Sequence, residues 1–434
     1  MTKRNPLYGR KLGKAAAAAV AAALAVTVAG CSNGGGESVD LETTEVELSF
    51  WNGLTGGDGP VMQGLVDQFM EEHPNISVEM VATAWNDYYQ KLPAVVSNGT
   101  APDVGLIQIN FLATNAARGV IQPLDELTET LGINADDFPD AVWKAGEYRG
   151  ERFGIPLDVH PVALYYNKTV LAKCGVDPEV PPTDRTEFEE ILEACKAAGI
   201  QGFWVSPQTA GSVVGQTLVY QFGGSLIGDD QVTATFADQP GIDAVDYLMS
   251  LVERGYSPAN ADAGSDYTSF TNNESAFLIS GPWNVTPLTE LADLDWGVTS
   301  VPQLGTQLAA WGGSHYFVLP KQTKQDAARA AAAQLFIGWI SEHSLDWSKA
   351  GQVPARDAVR ESPAFADQGL VTEFAKALEF VHFIPPTAGV TDALPEWNAA
   401  VSEIMTGGKS TKDGLREAAD RAERILEENM KKYG

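Results

Sequence analysis

The chain has 434 residues, which is too long for one small core and favours two lobes. Apolar residues make up 44% and charged residues 20%, as in an ordinary globular protein. The formal net charge is −28, from 29 basic and 57 acidic residues, so the surface repels nucleic acid and other polyanions. The same charge weighs against an anionic ligand, although a local basic pocket could override it.

The first thirty residues predict an export signal. Five basic residues precede an apolar run, residues 15–28, that is too short and alanine-rich for a membrane span but suits a secretory signal. The run ends in Val-Ala-Gly-Cys and a Gly/Ser tether, which resembles the bacterial lipobox, where Cys31 becomes the lipidated first residue. We therefore predict a lipoprotein signal peptide at 1–30 and a flexible tether at 31–44. The alternative is an ordinary signal peptide with an incidental cysteine.

Removal of that leader changes the charge and the cysteine count. The leader holds five of the 29 basic residues and no acidic one, so 24 basic and 57 acidic residues remain, a net charge of −33. Beyond Cys31 the chain has Cys174 and Cys195. An exported protein meets an oxidising compartment, so these two cysteines are candidates for a disulfide, and the sequence leaves their pairing open. They lack the C-x-x-C spacing of a metal or redox site.

The segment after the tether alternates strands and helices. VELSFW, ISVEMVATA and VGLIQI predict strands, and VMQGLVDQFMEEHP, DYYQKLPAVVSNG and FLATNAARG predict helices. This order predicts an α/β fold with a parallel-dominated sheet flanked by helices, and ligands of such sheets bind beyond the carboxyl ends of the strands. The loop FWNGLTGGDGP, residues 50–60, lies at that end. Its glycine spacing fits neither common phosphate-binding motif, so we expect its backbone to approach a ring instead.

The rest of the chain begins with a β-rich stretch and then resumes the alternation of strands and helices. FGIPLDVHPVALYYNK is an apolar, β-rich stretch broken by two prolines. GFWVSP, SAFLISGPWNV and WGGSHYFVLP predict strands, whereas VVGQTLVYQFGG and QDAARAAAAQLFIGWISE predict helices. The tail, TKDGLREAADRAERILEENMKKYG, predicts a charged amphipathic helix that packs on a lobe.

Several of these segments, in this order, resemble the extracellular sugar-binding lipoproteins of bacterial ABC importers, the family that includes maltose-binding protein. The resemblance covers nearly the whole mature chain, and its most specific features are Asp103 after Pro102, the YYNK tetrad and the GPW triplet. It implies a two-lobed periplasmic-binding-protein-like fold with a hinge of several chain crossings, near 155–158, 301–311 and 351–362. Lobe one would comprise 45–157 plus 312–355, and lobe two 158–305 plus 360–434.

A sugar site needs flat aromatic platforms for the ring faces and polar groups for the hydroxyls. The resemblance places a stacking residue at Trp283 and another near Trp397, and a hydroxyl-binding carboxylate near Asp158 or His160. It aligns Asn110 with an acidic ligand contact of maltose-binding protein and Phe111 with an arginine, which argues against maltose itself. The remaining candidates follow strands or open crossings: Trp51, Asn52, Thr55, Asp58, Trp85, Trp204, Asn284, Trp311, Gly313, Ser314 and His315.

His160 and His315 lie at two predicted crossings, so they are candidates for a metal site. No paired-histidine spacing typical of zinc accompanies them, and neutral histidines donating to hydroxyls are the preferred interpretation. We therefore expect no metal, no cofactor and no catalytic residue.

The resulting hypothesis is a substrate-binding protein that captures a carbohydrate, an oligosaccharide by its many aromatics, and delivers it to ABC permease subunits. The expected protein is a monomer, extracytoplasmic, anchored to the membrane of a Gram-positive cell by its lipid, with no nucleic-acid partner. One alternative is a receptor for another solute, such as a polyol, glycerol phosphate, amino acid or polyamine. Another is an exported glycan hydrolase, which lacks a paired-carboxylate or G-x-S-x-G context here.

Overall fold

The computed structural model describes residues 39–433, so the predicted signal peptide, Cys31 and the first part of the tether lie outside the described residues. Its strands are β1 Val46–Asn52, β2 Ile76–Ala82, β3 Val104–Gln108, β4 Glu147–Tyr148, β5 Glu151–Arg152, β6 Ile155–Pro156, β7 Asp158–Pro161, β8 Ala163–Asn167, β9 Phe277–Ser280, β10 Trp296–Ser300, β11 Ala310–Gly313, β12 His315–Val318, β13 Val353–Pro354 and β14 Val381–His382. Within this part of the chain, no helix is both long and apolar enough to cross a membrane.

The α-helices lie between these strands and at the end of the chain. They are α1 Asp58–Glu72, α2 Trp85–Ser97, α3 Ile109–Ala117, α4 Asp125–Leu131, α5 Asp140–Ala145, α6 Lys168–Lys173, α7 Arg185–Ala197, α8 Pro207–Gly211, α9 Val213–Gln221, α10 Gln239–Glu253, α11 Ser265–Thr271, α12 Val285–Thr289, α13 Ala327–Glu342, α14 Asp357–Arg360, α15 Pro363–Ala366, α16 Val371–Ala375, α17 Val390–Met405 and α18 Thr411–Tyr433.

One five-stranded sheet, in the order β2-β1-β3-β12-β6, organises the first part of the fold. Alternate residues of β1, Val46, Leu48 and Phe50, are buried, as a strand with one face on a core requires. Their core is built mainly from residues 46–159 and 316–355, and we call this part lobe one. The carboxylate of Asp103 accepts hydrogen bonds at 2.8 Å from both the amide and the hydroxyl of Ser49, which ties the start of β3 to β1.

Lobe two surrounds a second core, built mainly from residues 162–279, 301–310 and 377–426. Its three-stranded sheet has the order β10-β8-β9. A disulfide joins Cys174, at the end of α6, to Cys195 on α7, with Cα atoms 4.4 Å apart. The link therefore joins two helices of lobe two, and the cysteine pairing that the sequence left open is formed.

A four-stranded sheet, in the order β13-β7-β11-β14, is formed where the chain passes between the lobes. β7 follows the first crossing, and it pairs with β11 and with β13, the strands that lie at the other two predicted crossings. β7, at the first passage, is thus hydrogen-bonded to the strands at both of the other passages, next to the site described below.

Two sequence predictions about the sheets need correction. The expected two-lobed α/β fold is confirmed, but the sheets are mixed: β1–β2, β1–β3 and β11–β14 are parallel, and β8, β9, β10 and β12 pair antiparallel. GFWVSP forms only an isolated bridge between Phe203 and Phe277 and is not a strand. The alternation of elements could not show that the chain returns to lobe one as β12, which runs against β3.

Candidate functional site

A cavity of about 130 Å³ lies between the loop after β1, in lobe one, and the start of α12, in lobe two. The two sides approach each other closely, because a Cβ added to Gly57 would lie 3.5 Å from Cγ2 of Thr286. The cavity is lined by Gly53, Thr55, Gly56, Gly57, Asp58, Trp85, Trp283, Thr286, Ala350 and Gln352. Both lobes and the third crossing therefore contribute to one site.

Trp85 forms the lobe-one wall of the cavity. It begins α2, and its indole lies over the backbone of Gly53, where an added Cβ would come within 1.9 Å of the ring. On its other sides the indole stacks with Tyr89, at 5.5 Å between ring centroids, and with His315, at 5.4 Å. Only glycine at position 53 leaves room for this arrangement.

Trp283 forms the lobe-two wall. It lies in a short 3₁₀ turn, Pro282–Asn284, directly after β9, and its ring covers Gly281 as Trp85 covers Gly53. The side chain is 40% exposed, which is unusual for a tryptophan. Its edge contacts His160, at 6.0 Å between centroids, and Trp311, at 6.4 Å. Trp85 contacts His315 and Trp283 contacts His160, and these two histidine rings contact each other. The two tryptophans are therefore supported by one connected set of rings.

Asp158 is the polar centre behind these rings. It is fully buried, and its carboxylate accepts hydrogen bonds from the backbone amide of His315 at 2.8 Å and from the indole N–H of Trp347 at 2.7 Å. The Nδ1 atoms of His315 and His160 lie 2.7 and 3.3 Å from its oxygens. Asp158 therefore fixes both imidazole rings at the crossing.

Burial and mutual charge shift the pKa values of Asp158, His160 and His315. Burial alone would raise the pKa of Asp158, but the charge of His315 and hydrogen bonds from both histidines hold the pKa of this carboxyl well below its usual range. Burial opposes protonation of His315, yet the charge and hydrogen bond of Asp158 raise its pKa above the ordinary value. Burial lowers the pKa of His160, and the charge of His315 lowers it further. The directions of these shifts favour a proton on His315, paired with Asp158, over a proton on His160.

Asp158, His160 and His315 also have the ligand types of a metal site, with one ligand atom from each lying within 4.8 Å of the others. The oxygens of Asp158, however, already accept hydrogen bonds from ring, indole and backbone N–H groups. A carboxylate used in this way orients the rings and is poorly placed to bind a cation directly. The absence of a metal stays a prediction.

Four of the predicted ligand residues line the cavity: Thr55, Asp58, Trp85 and Trp283. His160, His315 and Trp311 lie behind them in the ring cluster. Other predicted residues are not part of the lining, namely Trp51, Asn110, Trp204, Asn284 and Gly313, and the amide of Asn284 donates to the Ser280 hydroxyl at 2.8 Å.

Four predictions need correction, because the side chains are buried at positions outside the cavity lining. Trp397 is fully buried in the core of lobe two and donates its indole N–H to the carbonyl of Gly211 at 2.7 Å, so it is not a platform. The Ser314 hydroxyl donates to the carbonyl of Asp158 at 2.5 Å. Asp158 itself supports the histidines and does not face the cavity. Asn52 is fully buried, and its Oδ1 accepts the amide N–H of Leu54.

Thr286 and Gln352 line the cavity but were not predicted from the sequence. Gln352 is 1% exposed, lines the cavity, and its Oε1 has no hydrogen-bond partner among the described residues. Such a buried carbonyl oxygen is costly unless a ligand or water donates to it. Its position in the third predicted crossing was the available signal for Gln352, whereas Thr286 follows the GPW triplet by three residues with no distinctive pattern.

Comparison with known proteins identifies the class to which this fold and cleft belong. Residues 52–344 match the family described as bacterial extracellular solute-binding protein, and the chain belongs to this family.

Individual relatives are distant but extend over most of the chain. The maltotriose-binding protein of Pyrococcus abyssi is 22% identical over 85% of this chain and 80% of its own length. The sn-glycerol-3-phosphate-binding periplasmic protein of Pectobacterium atrosepticum is 23% identical over 88% of this chain and 91% of its own. The crystal structure of the cyclic α-maltosyl-1,6-maltose binding protein from Arthrobacter globiformis matches with a TM-score of 0.77 at 22% identity, covering 88% of this chain and 99% of that one.

Proposed function

We propose that this protein is the extracytoplasmic receptor of an ABC importer, and that it captures a carbohydrate, an oligosaccharide in particular, in the cavity between its lobes. The observation that carries the proposal is that Trp85 from lobe one and Trp283 from lobe two line the same cavity. Trp283, the more exposed of the two, offers an apolar face to the C–H face of a sugar ring, and Trp85 adds apolar surface on the opposite wall. The relatives whose names include maltotriose and cyclic maltosyl-maltose bind ligands of this class.

The polar groups of the cavity suit the hydroxyl rim of a sugar. Asp58 and Gln352 Oε1 accept hydrogen bonds, and the hydroxyls of Thr55 and Thr286 both donate and accept. A buried carboxylate or amide acceptor that gains a ligand hydroxyl loses the cost of being unpaired. The set therefore complements a polyhydroxylated ligand from two lobes at once.

Capture requires the lobes to move. The cavity, at about 130 Å³, is below the ~300 Å³ at which ligand pockets usually begin, and the Gly57 backbone lies against Thr286. A ligand enters once the loop and α12 separate and is enclosed when they approach again. We propose hinge movement about the three crossings, with lobes at 45–157 plus 312–355 and at 158–305 plus 360–434. The permease then recognises the closed, loaded form.

Calorimetric and tryptophan-fluorescence titrations of the purified protein against a panel of neutral di- to tetrasaccharides test this function. We expect at least one member to bind with a change in tryptophan emission, because Trp85 and Trp283 line the cavity. Amino acids and spermidine serve as control solutes and should leave the emission unchanged. Absence of binding across a broad panel of neutral glycans contradicts the proposal, and binding of a control solute in its place would point to another class of ligand.

We also propose that the protein performs no hydrolysis. Glycoside hydrolysis uses two carboxyl groups that flank the bond to be broken. Asp58 lines the cavity, but Asp158 is buried behind it with its oxygens already accepting hydrogen bonds. Prolonged incubation with the oligosaccharide that binds should yield no product by chromatography, and any cleavage would contradict this proposal.

Finally, we propose that the receptor is a monomer held at the outer face of a Gram-positive membrane by lipid on Cys31. The support is the lipobox-like Val28-Ala29-Gly30-Cys31 pattern. Cys31→Ala should release the protein from membranes into the medium, whereas the wild-type chain should sediment with them. Equal release of both proteins would contradict the anchor.

A further inference from the structure

The charges that face the cavity are unevenly distributed. Asp58 carries the one formal charge among the described lining residues, and neither lysine nor arginine is among them. Two cations lie close in sequence to the lining residues Ala350 and Gln352, and both are near acidic partners: Lys349 pairs with Asp346 at 2.6 Å, and a guanidinium nitrogen of Arg356 lies 3.9 Å from Glu342. The cavity therefore has an uncompensated carboxylate on its lobe-one side.

The groups behind the lining do not neutralise that carboxylate. Asp158 pairs with His315, so their charges offset each other, and burial lowers the pKa of His160, although the charge of Asp58 acts in the opposite direction. The amino end of α1 contributes a partial positive charge of roughly half a unit, which offsets only part of the full charge of Asp58 in its first turn. The net charge at the cavity is therefore negative.

The glycine-rich loop is also unsuited to an anion. Its Gly56 amide donates to the Asp58 carboxylate at 3.2 Å, and its Thr55 amide donates to the Gly53 carbonyl at 2.9 Å. Backbone N–H groups of this kind are what a phosphate would need from such a loop. Here the carboxylate of Asp58 takes one of them, so a ligand anion would meet a fixed negative charge at that position.

We propose that Asp58 selects the charge of the ligand: the site accepts neutral or ammonium-bearing saccharides and rejects those with carboxylate or phosphate groups. This inference rests on the proposed function and narrows its substrate class. It separates this chain from the relative named for sn-glycerol 3-phosphate. One unit charge near contact distance in a partly enclosed site changes affinity by more than about tenfold.

The test compares ligands that have the same rings and differ in whether their carboxyl groups are charged. We would take the neutral oligosaccharide that binds, oxidise its primary hydroxyls to uronates, and prepare the uronate methyl ester, which has the same rings but no charge. Affinities of wild type, Asp58→Asn and Asp67→Asn are measured by calorimetry for ester and uronate, with sn-glycerol 3-phosphate as a phosphate probe. Asp67 is exposed on α1 outside the lining, so its variant loses the same formal charge from the same helix.

We expect wild type and Asp67→Asn to bind the ester at least about tenfold more tightly than the uronate, and sn-glycerol 3-phosphate to give no measurable heat. Asp58→Asn should shrink the ester-to-uronate ratio to about twofold, because asparagine keeps a hydrogen-bonding oxygen without the charge. Equal binding of ester and uronate by wild type overturns the inference while the proposed function stands. An equal loss of discrimination in Asp67→Asn also overturns it. If no saccharide binds, the proposed function fails, and the inference with it.

Discussion

Trp85 lies nearly parallel to His315, with 5.4 Å between the ring centroids and 12° between the ring planes. Asp158 in turn holds His315, because its carboxylate accepts hydrogen bonds from the backbone amide and from the ring nitrogen Nδ1 of His315. A cavity-lining indole is thus positioned from behind by a buried ion pair and from the front by the glycine loop. Rigid support of this kind lowers the conformational entropy that a binding side chain loses when the ligand arrives.

The contact between Trp85 and Gly53 gives the first prediction. Gly53→Ala places a Cβ about 1.9 Å from the indole and forces the ring to turn. We expect an affinity loss of about tenfold for the bound oligosaccharide and a stability loss of roughly 1–3 kcal/mol from overpacking. Gly64→Ala is the control, because no atom lies within 4 Å of its added Cβ on α1. It should keep the affinity and stabilise the helix by up to about 1 kcal/mol. Unchanged affinity in Gly53→Ala contradicts the positioning role.

A pair of tryptophans separates binding from core packing. Trp283→Ala removes a 40% exposed ring from the cavity, so we expect affinity to fall at least about tenfold while the free energy of unfolding changes little. Trp397→Ala removes a fully buried ring and its hydrogen bond to Gly211, which should cost roughly 3–5 kcal/mol of stability. Calorimetric titration and urea unfolding of both variants check this. A reversed pattern would place the ligand platform at Trp397 and contradict the site assignment.

Trp283 and Trp397 also show which features of the site can be predicted from the sequence and which cannot. Strand–helix order and the position of the opening loop pointed to Thr55, Asp58 and Trp85, and the family resemblance pointed to Trp283; all four line the cavity. Trp397 looked equally suitable, because position along the chain does not say which face of α17 points inward. Its burial depends on packing against α8, which is distant in sequence. Gln352 was missed for the converse reason: it becomes a cavity residue only when the third crossing is folded beside Trp283.

The pairing of β strands was limited in the same way. Local patterns gave β1, β2 and β3 correctly, since each strand is followed by its own helix. The antiparallel partner β12 comes from a part of the chain more than two hundred residues later. Nothing in the sequence of either strand specifies the direction of that pairing. The predicted dominance of parallel pairs was therefore wrong, because direction depends on how the chain returns to the sheet.

The Asp158–His315 pair leads to a prediction on pH. The pKa of His315 is raised above its unfolded value of 6.5, so its stabilising contribution is fully present below about pH 6.5 and is lost as the pH rises through the native pKa. His160 has the opposite sign, because its pKa is lowered and its protonation below about pH 6.5 favours the unfolded chain. Nuclear magnetic resonance of labelled imidazoles should find the two histidines titrating on opposite sides of 6.5. Titration of both above that value would contradict the one-proton arrangement.

Substitution of the carboxylate tests the same pair by stability. Asp158→Asn leaves His315 and the indole of Trp347 without a charged acceptor, and disruption of a buried pair costs about 3–5 kcal/mol. Glu373→Gln is the control, because its partner Lys376 is exposed and such surface pairs contribute less than about 1 kcal/mol. The free energies of unfolding in urea at pH 6 should differ accordingly. Similar losses of stability in the two variants would show that the buried Asp158 pair contributes no more than an exposed surface pair.

The disulfide provides the last prediction. Cys174 and Cys195 are 21 residues apart, and a cross-link closing a loop of this length stabilises a fold by about 3 kcal/mol, mainly by restricting the unfolded chain. Reduction of the wild-type protein keeps both sulfur atoms in place, so its loss of stability measures the link alone. The double variant Cys174→Ala, Cys195→Ala should lose somewhat more, because both side chains are buried and their removal leaves space in the lobe-two core. Reductant should not affect the double variant further, and ligand affinity should be unchanged in both cases, since neither cysteine lines the cavity. If reduction leaves the free energy of unfolding of the wild type unchanged, the link contributes nothing, and lobe two owes its stability to its core alone.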